Sequence, residues 1–157
     1  MHLCKMEKIK LTKNFYLHEF IDKNTYLEYE RKDKLQLLVY KLDWRIIEGL
    51  QLLRDNLSKE YKKDIPLFVN NWAYGLNRQY SGLRFPGKPY YSEGSQHSYG
   101  RAVDVVSIIT SEKIRQHILK NKNTYLLYFN RLEDKVSWTH IDNGWDNDIN
   151  KITLFAA

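Results

Sequence analysis

One run constrains this chain more than any other: Ala102-Val103-Asp104-Val105-Val106-Ser107-Ile108-Ile109. β-Branched residues crowd it, and such side chains pack well on a pleated, half-buried surface. The run predicts a central strand that carries one carboxylate, Asp104. Just upstream, Ser95-Gln96-His97-Ser98-Tyr99-Gly100-Arg101 sets His97 seven positions before Asp104. Gly100 permits a tight backbone path between loop and strand, and Ala102 leaves room beside the carboxylate. Downstream, Trp138-Thr139-His140-Ile141-Asp142 alternates like a strand and supplies a second imidazole. Two imidazoles and one carboxylate, fixed on scaffold strands, suit a catalytic zinc with one coordination position left open. Candidate metal ligands are therefore His97, Asp104 and His140.

The rest of the chain reads as the domain that holds this set. At 157 residues it fits one domain able to bury a core. Residues 1–13 read as a flexible lead-in and residues 14–157 as a single domain. The lead-in has lysines but no apolar core or small-residue cleavage site, so no signal peptide is read there. No window is long and apolar enough to cross a bilayer, so no membrane partner is expected. The single Cys4 excludes an internal disulfide framework and fits a reducing compartment of synthesis. The net charge of +6 is spread along the chain without a nucleic-acid motif, and reads as a solvated lysine surface rather than a nucleic-acid site.

Phe15, Leu17 and Phe20 anchor a short segment that Asn14 could cap, with His18 as a packed residue beside aromatics. Apolar residues at helical spacing over 34–61 predict one long amphipathic helix, broken near Gly49, followed by a short strand at 65–70. Residues 71–94 concentrate Gly75, Gly82, Gly87, Gly94, Pro86 and Pro89 among Trp72, Tyr74, Arg78, Tyr80, Arg84, Tyr90 and Tyr91. Such a stretch is a binding wall or lid, or else a loose insertion. Ser111 caps a helix running to about Asn121, with His117 as a bystander. Strands at 125–132 and 136–141 form a hairpin through Glu133-Asp134-Lys135, and the tail at 149–155 adds an edge strand. The fold class is α+β: a small, mostly antiparallel sheet with helices packed on one face.

Taken together, Ser95-x-His97-x2-Gly100-x-Ala102-x-Asp104 and Trp138-x-His140 resemble the zinc D-alanyl-D-alanine carboxypeptidases. That family includes phage endolysins and vancomycin-resistance dipeptidases, and it shares its fold with the hedgehog signalling domain. Asn14-Phe15-x-Leu17-x-Glu19-Phe20 and Ser81-Gly82-Leu83-Arg84 extend the resemblance over roughly residues 14–142. It implies a hedgehog/D-Ala-D-Ala peptidase-like fold with Zn2+ on His97, Asp104 and His140. Arg84 matches the arginine that holds a substrate carboxylate or transition-state charge, and Ser95 and Trp138 line the substrate site. The implied reaction is hydrolysis of peptide bonds in the stem peptides of bacterial peptidoglycan, of D,D-carboxypeptidase or L,D-endopeptidase type. A phage-derived enzyme of this kind would reside in the host cytoplasm before release, or in the virion beside other virion proteins.

The general base is where the pattern departs. Many relatives place a glutamate three residues before the last histidine, where this chain has Ser137. Others place it six before, where Asp134 stands, with Glu133 one position further. Strand alternation puts Asp134 on the face of His140, whereas a bulge or turn would bring in the longer Glu133. Arg131-Leu132-Glu133 resembles related phage-type sequences, which favours Glu133; both acids also fit plain turn residues. Asp142 is placed to support an imidazole from behind. The Ser137 departure motivates the alternative of a catalytically inactive zinc-binding structural or binding module, such as a virion component.

Overall fold

The computed structural model describes residues 6–144 and 150–156. Its central helix is α3 (Trp44–Tyr61), following α1 (Lys23–Arg31) and α2 (Leu35–Val39). Ile46, Ile47, Leu50, Leu53 and Leu57 recur at helical spacing in α3 and are buried, each contributing about 1.5–3 kcal/mol by leaving water. The expected single helix over 34–61 is thus two, and the break falls at residues 40–43 rather than at Gly49. Asp43 explains the position: its carboxylate caps the backbone N–H of Arg45, while its own N–H donates to Gly100 O. Gly49 lies inside the unbroken α3, and a β-carbon there would stand 2.7 Å from Tyr128 Cβ. The glycine serves close packing, which local sequence does not display.

The sheet has five strands in the order β1-β2-β4-β3-β5, namely β1 (Leu67–Phe68), β2 (Ala102–Ser107), β3 (Arg131–Glu133), β4 (Thr139–Asp142) and β5 (Thr153–Phe155). β1/β2, β2/β4 and β3/β4 are antiparallel, but β3/β5 is parallel. The sheet is therefore mixed, a correction to the mostly antiparallel expectation. β5 lies on the outer edge of β3 and runs in the same direction. Of the expected tail strand, residue 149 lies outside the described residues.

Alternation along the strands gives the sheet two different faces. Val103, Val105, Leu132 and Ile141 point into the main core with α3 and α4 (Ser111–Lys120). Asp104, His140, Asp142 and Arg131 belong to the other set of positions. Thr110, not Ser111, caps α4, and the Ser111 hydroxyl instead donates to Ser137 O. The strand expected from residue 125 begins only at Arg131, because Tyr125 closes the short helix α5 (Lys122–Tyr125). Phe129 N–H bonds Tyr125 O and the two rings stack with centroids 5.3 Å apart, a helical rather than an alternating relation.

The segment before the first helix is hydrogen-bonded to its neighbours from Ile9 onward. Residues 1–5 lie outside the described residues, but Ile9 O accepts from Leu17 N–H and Leu11 N–H donates to Phe15 O. Asn14 does not cap the 3-10 turn Leu17–Glu19; its side chain and backbone N–H bond Gln51 of α3. His18 is buried among Tyr16, Tyr26, Trp72 and Tyr74.

Candidate metal centre

Three segments converge on the polar face of the sheet. The 3-10 turn Gln96–Tyr99 carries His97, β2 carries Asp104 and β4 carries His140. Asp104 and His140 are opposite one another in the β2/β4 ladder, which fixes two ligands on paired strands. His97 is delivered by a turn with Ser95 at its N-cap and Gly100 at its end. Gly100 has φ 67°, and a β-carbon there would meet Lys41 O at 2.1 Å. Only glycine fits that passage.

Candidate ligand atoms of His97, Asp104 and His140 all lie within 4.8 Å of one another, and the three residues are buried. His97 Nε2 is 3.3 Å from His140 Nδ1 and 3.3 Å from Asp104 Oδ1, and His140 Nδ1 is 2.8 Å from Asp104 Oδ1. For tetrahedral zinc with ligand bonds of about 2.0–2.1 Å, neighbouring ligand atoms stand roughly 3.3–3.4 Å apart. Two edges of the triangle already have that length, and the third needs about half an ångström of opening.

The outward nitrogens fix the tautomers. His97 Nδ1 is 2.8 Å from Gly82 O, a carbonyl that can only accept, so the proton sits on Nδ1. His140 Nε2 is 2.8 Å from Asp142 Oδ2 and likewise donates outward. In the neutral rings, His97 Nε2 and His140 Nδ1 therefore turn lone pairs toward the Asp104 carboxylate. Three acceptors converge, and a cation is what such a convergence holds. Without a metal that cation is a proton. Burial opposes a charge on His140, but its bonds to Asp104 and Asp142 push it up to about 9. Burial also opposes ionising Asp104, but bonds from His140 and His97 hold its carboxyl well below the usual range.

Gly82 links this centre to the N-terminal segment. Its β-carbon would meet Phe20 O at 2.3 Å, so the backbone of residues 81–83 lies directly against Phe20. Leu83 N–H donates to Phe20 O and Ser81 O accepts from Asp104 N–H. Backbone that close to β2 presents Gly82 O to His97.

Within residues 71–94, positions between 77 and 90 line one side of a cleft. With Trp138 and Asp104, residues Asn77, Arg78, Tyr80, Ser81, Arg84 and Tyr90 line this cleft of about 530 Å³ beside the ligand cluster. Arg78 ties this side down, donating to Val69 O and to Asp104 O. Arg84 donates to Asp104 Oδ2 at 2.8 Å and to Tyr80 O at 2.8 Å. Burial lowers the Arg84 pKa, and Asp104 counteracts it. Ser95 does not line this cleft; its hydroxyl accepts from His97 N–H and shapes the turn. Trp138 does line it.

The two hairpin acids part company. The β3/β4 register pairs Leu132 with Ile141, so its next step sets the buried Glu133 opposite His140. Asp104 and His140 are paired across β2 and β4, and Glu133 pairs with Phe155 on the other side of β3. Glu133 lies within electrostatic reach of Arg84. Asp134 lies past the end of β3, half-buried, its N–H bonded to Phe155 O. Counting alternation from His140 back to Asp134 fails because residues 134–138 are not strand, and Lys135 turns the chain at φ 61°. His117 is not a bystander: it is buried between Glu60 and Tyr125, and Asn56 completes the network on the Tyr125 hydroxyl. Burial pushes that hydroxyl up to about 12. The sequence signal for Asp142 is its spacing from His140, and for Glu133 the Arg131-Leu132-Glu133 pattern; for the Gly82 carbonyl there is none.

Set against protein-family models, curated proteins and solved structures, the chain matches none.

Proposed function

We propose that this chain is a zinc-dependent peptidase that hydrolyses peptide bonds in the stem peptides of bacterial peptidoglycan, a D,D-carboxypeptidase or L,D-endopeptidase of phage origin. The observation that carries the reading is the convergence of His97 Nε2, His140 Nδ1 and Asp104 Oδ1, with both outward ring nitrogens already bonded. Two nitrogens and one carboxylate oxygen are a donor set that suits zinc and leaves room for a further ligand. Bound there, zinc supplies Lewis acidity toward a scissile carbonyl and toward water.

The chain's own groups supply the rest. Glu133, buried and within electrostatic reach of Arg84, is the candidate base that takes a proton from the attacking water and returns it to the leaving amine. Arg84 holds Asp104 through one nitrogen and brings a cation to the cleft, where it stabilises negative charge on the substrate. Trp138 and Tyr90 flank the peptide. The test is purified cell wall incubated with the protein, with and without a chelator. Metal-dependent release of new amino termini or of D-alanine supports the reading, and its absence from zinc-loaded protein removes it.

A second reading has its own observation. Arg84, the residue expected to grip substrate, is engaged by Asp104 and by the carbonyl of Tyr80. That arrangement also suits an inactive zinc-binding module in which Arg84 braces a structural metal. One zinc per chain with no turnover would favour it.

A further inference from the structure

We propose that Arg131 and Phe155 are positioning residues of the metal centre, holding His140 from the side away from the other ligands; the proposal rests on the metal reading above. His140 donates from Nε2 to Asp142 Oδ2, so the orientation of its ring is only as firm as Asp142 itself. Asp142 is 1% exposed. A carboxylate that deep needs compensating charge and donors. Its Oδ1 receives the Gly144 N–H at 2.8 Å and faces Arg131 Nε at 3.4 Å. A β-carbon on Gly144 would come within 2.9 Å of Arg131 Nη1, so glycine makes room for this approach.

Arg131 is in turn held by an aromatic plane. Its guanidinium carbon sits 4.5 Å from the centroid of Phe155, close enough for cation–π attraction. Phe155 is fixed by β5, whose parallel register pairs it with Glu133. The same ring and the His140 ring stand at 90° to each other, centroids 5.6 Å apart. Two routes therefore converge on His140 from β5: one by direct ring contact, the other through Arg131 and Asp142. β5 is thereby part of the metal centre although it contributes no ligand.

Partners that orient a liganding imidazole directly are typically worth about ten- to a hundredfold in metal affinity, so one bond further out we expect roughly threefold to tenfold. The experiment is zinc competition against a chromophoric chelator with the full chain. R131Q and F155A should weaken zinc by that factor while unfolding as cooperatively as the parent, and R131K should recover most of the loss. Affinity within twofold of the parent in both R131Q and F155A would overturn the proposal, as would R131K behaving like R131Q. If R131Q does not fold, F155L carries the same test.

A second readout needs no metal. In metal-free protein the His140 Nε2 proton, held by Asp142, should give a slowly exchanging imidazole resonance that R131Q and F155A lose. Should the parent take up no zinc, the metal reading alone falls. Persistence of that resonance in both variants would still sink the positioning role.

Discussion

Asp104 of β2 and His140 of β4 stand directly opposite in an antiparallel ladder, and Asp104 Oδ1 lies 2.8 Å from His140 Nδ1. Backbone pairing thus sets the separation of two candidate ligands before any cation is considered. His97 approaches from a turn that Gly82 O orients. Removing any one ligand should abolish tight binding. H97A, D104N and H140A are expected to lose zinc on gel filtration where the parent keeps about one ion per chain, as measured by elemental analysis.

Glu133 and Asp134 should behave differently despite being neighbours. Glu133 is the buried last residue of β3, whereas Asp134 lies past the strand end and is half-buried. E133Q is expected to lower peptidoglycan hydrolysis by about 10²- to 10⁴-fold with zinc content unchanged, the range typical for a lost general base. D134N should stay within roughly threefold of the parent. The reverse pattern, read by amine release, would move the base to Asp134.

Gly82 should tolerate no side chain. A β-carbon there would sit 2.3 Å from the Phe20 carbonyl oxygen, which is backbone and cannot swing aside. G82A is expected to cost about 1–3 kcal/mol or more in denaturant unfolding, the range for overpacking. It should weaken zinc as well, because the displaced carbonyl is the acceptor for His97 Nδ1. Full zinc affinity in a destabilised G82A would separate the two effects and refute the second.

Glu19 gives a pH signature away from the centre. Burial pushes its carboxyl from 4.5 up to about 7, a shift its bond from Tyr16 N–H only partly opposes. A folded-state value above the unfolded one means that ionisation is penalised by folding. The penalty is absent below pH 4.5, grows as pH rises toward about 7 and levels off above. E19Q, which cannot ionise, should therefore gain stability relative to the parent across that window, by up to about 3 kcal/mol. A stability difference that stays flat from pH 4 to pH 8 in chemical denaturation would contradict this.

Much of the candidate site was legible because its residues lie on regular elements. Asp104 announces itself within a β-branched run, and His140 and Asp142 share a face by simple alternation. Two of the failures share a cause: partners distant in sequence. Gly49 reads as a break until Tyr128 is seen against it, and His117 as a bystander until Glu60 and Tyr125 enclose it. Parity between Asp134 and His140 was lost at Lys135, because alternation does not count through a turn. The parallel placement of β5 depends on a crossover that strand propensity does not encode. Arg84 was found as a residue, but its bond to Asp104 was not.

The separation of the ligands along the chain also bears on kinetics. His140 reaches Asp104 across 36 residues that include α4 and α5, so the ligand triangle closes only once the non-local β2/β4 pairing has formed. Closing such a contact carries the entropy of a long loop, and the full triangle needs all three segments in place. A cation binding there has nothing to grip in the unfolded chain, and on this topology little in the early folding barrier. Its stabilisation should then appear almost wholly as slower unfolding, with the refolding rate nearly indifferent to zinc. The metal would act as a lock on a finished sheet rather than a seed for it.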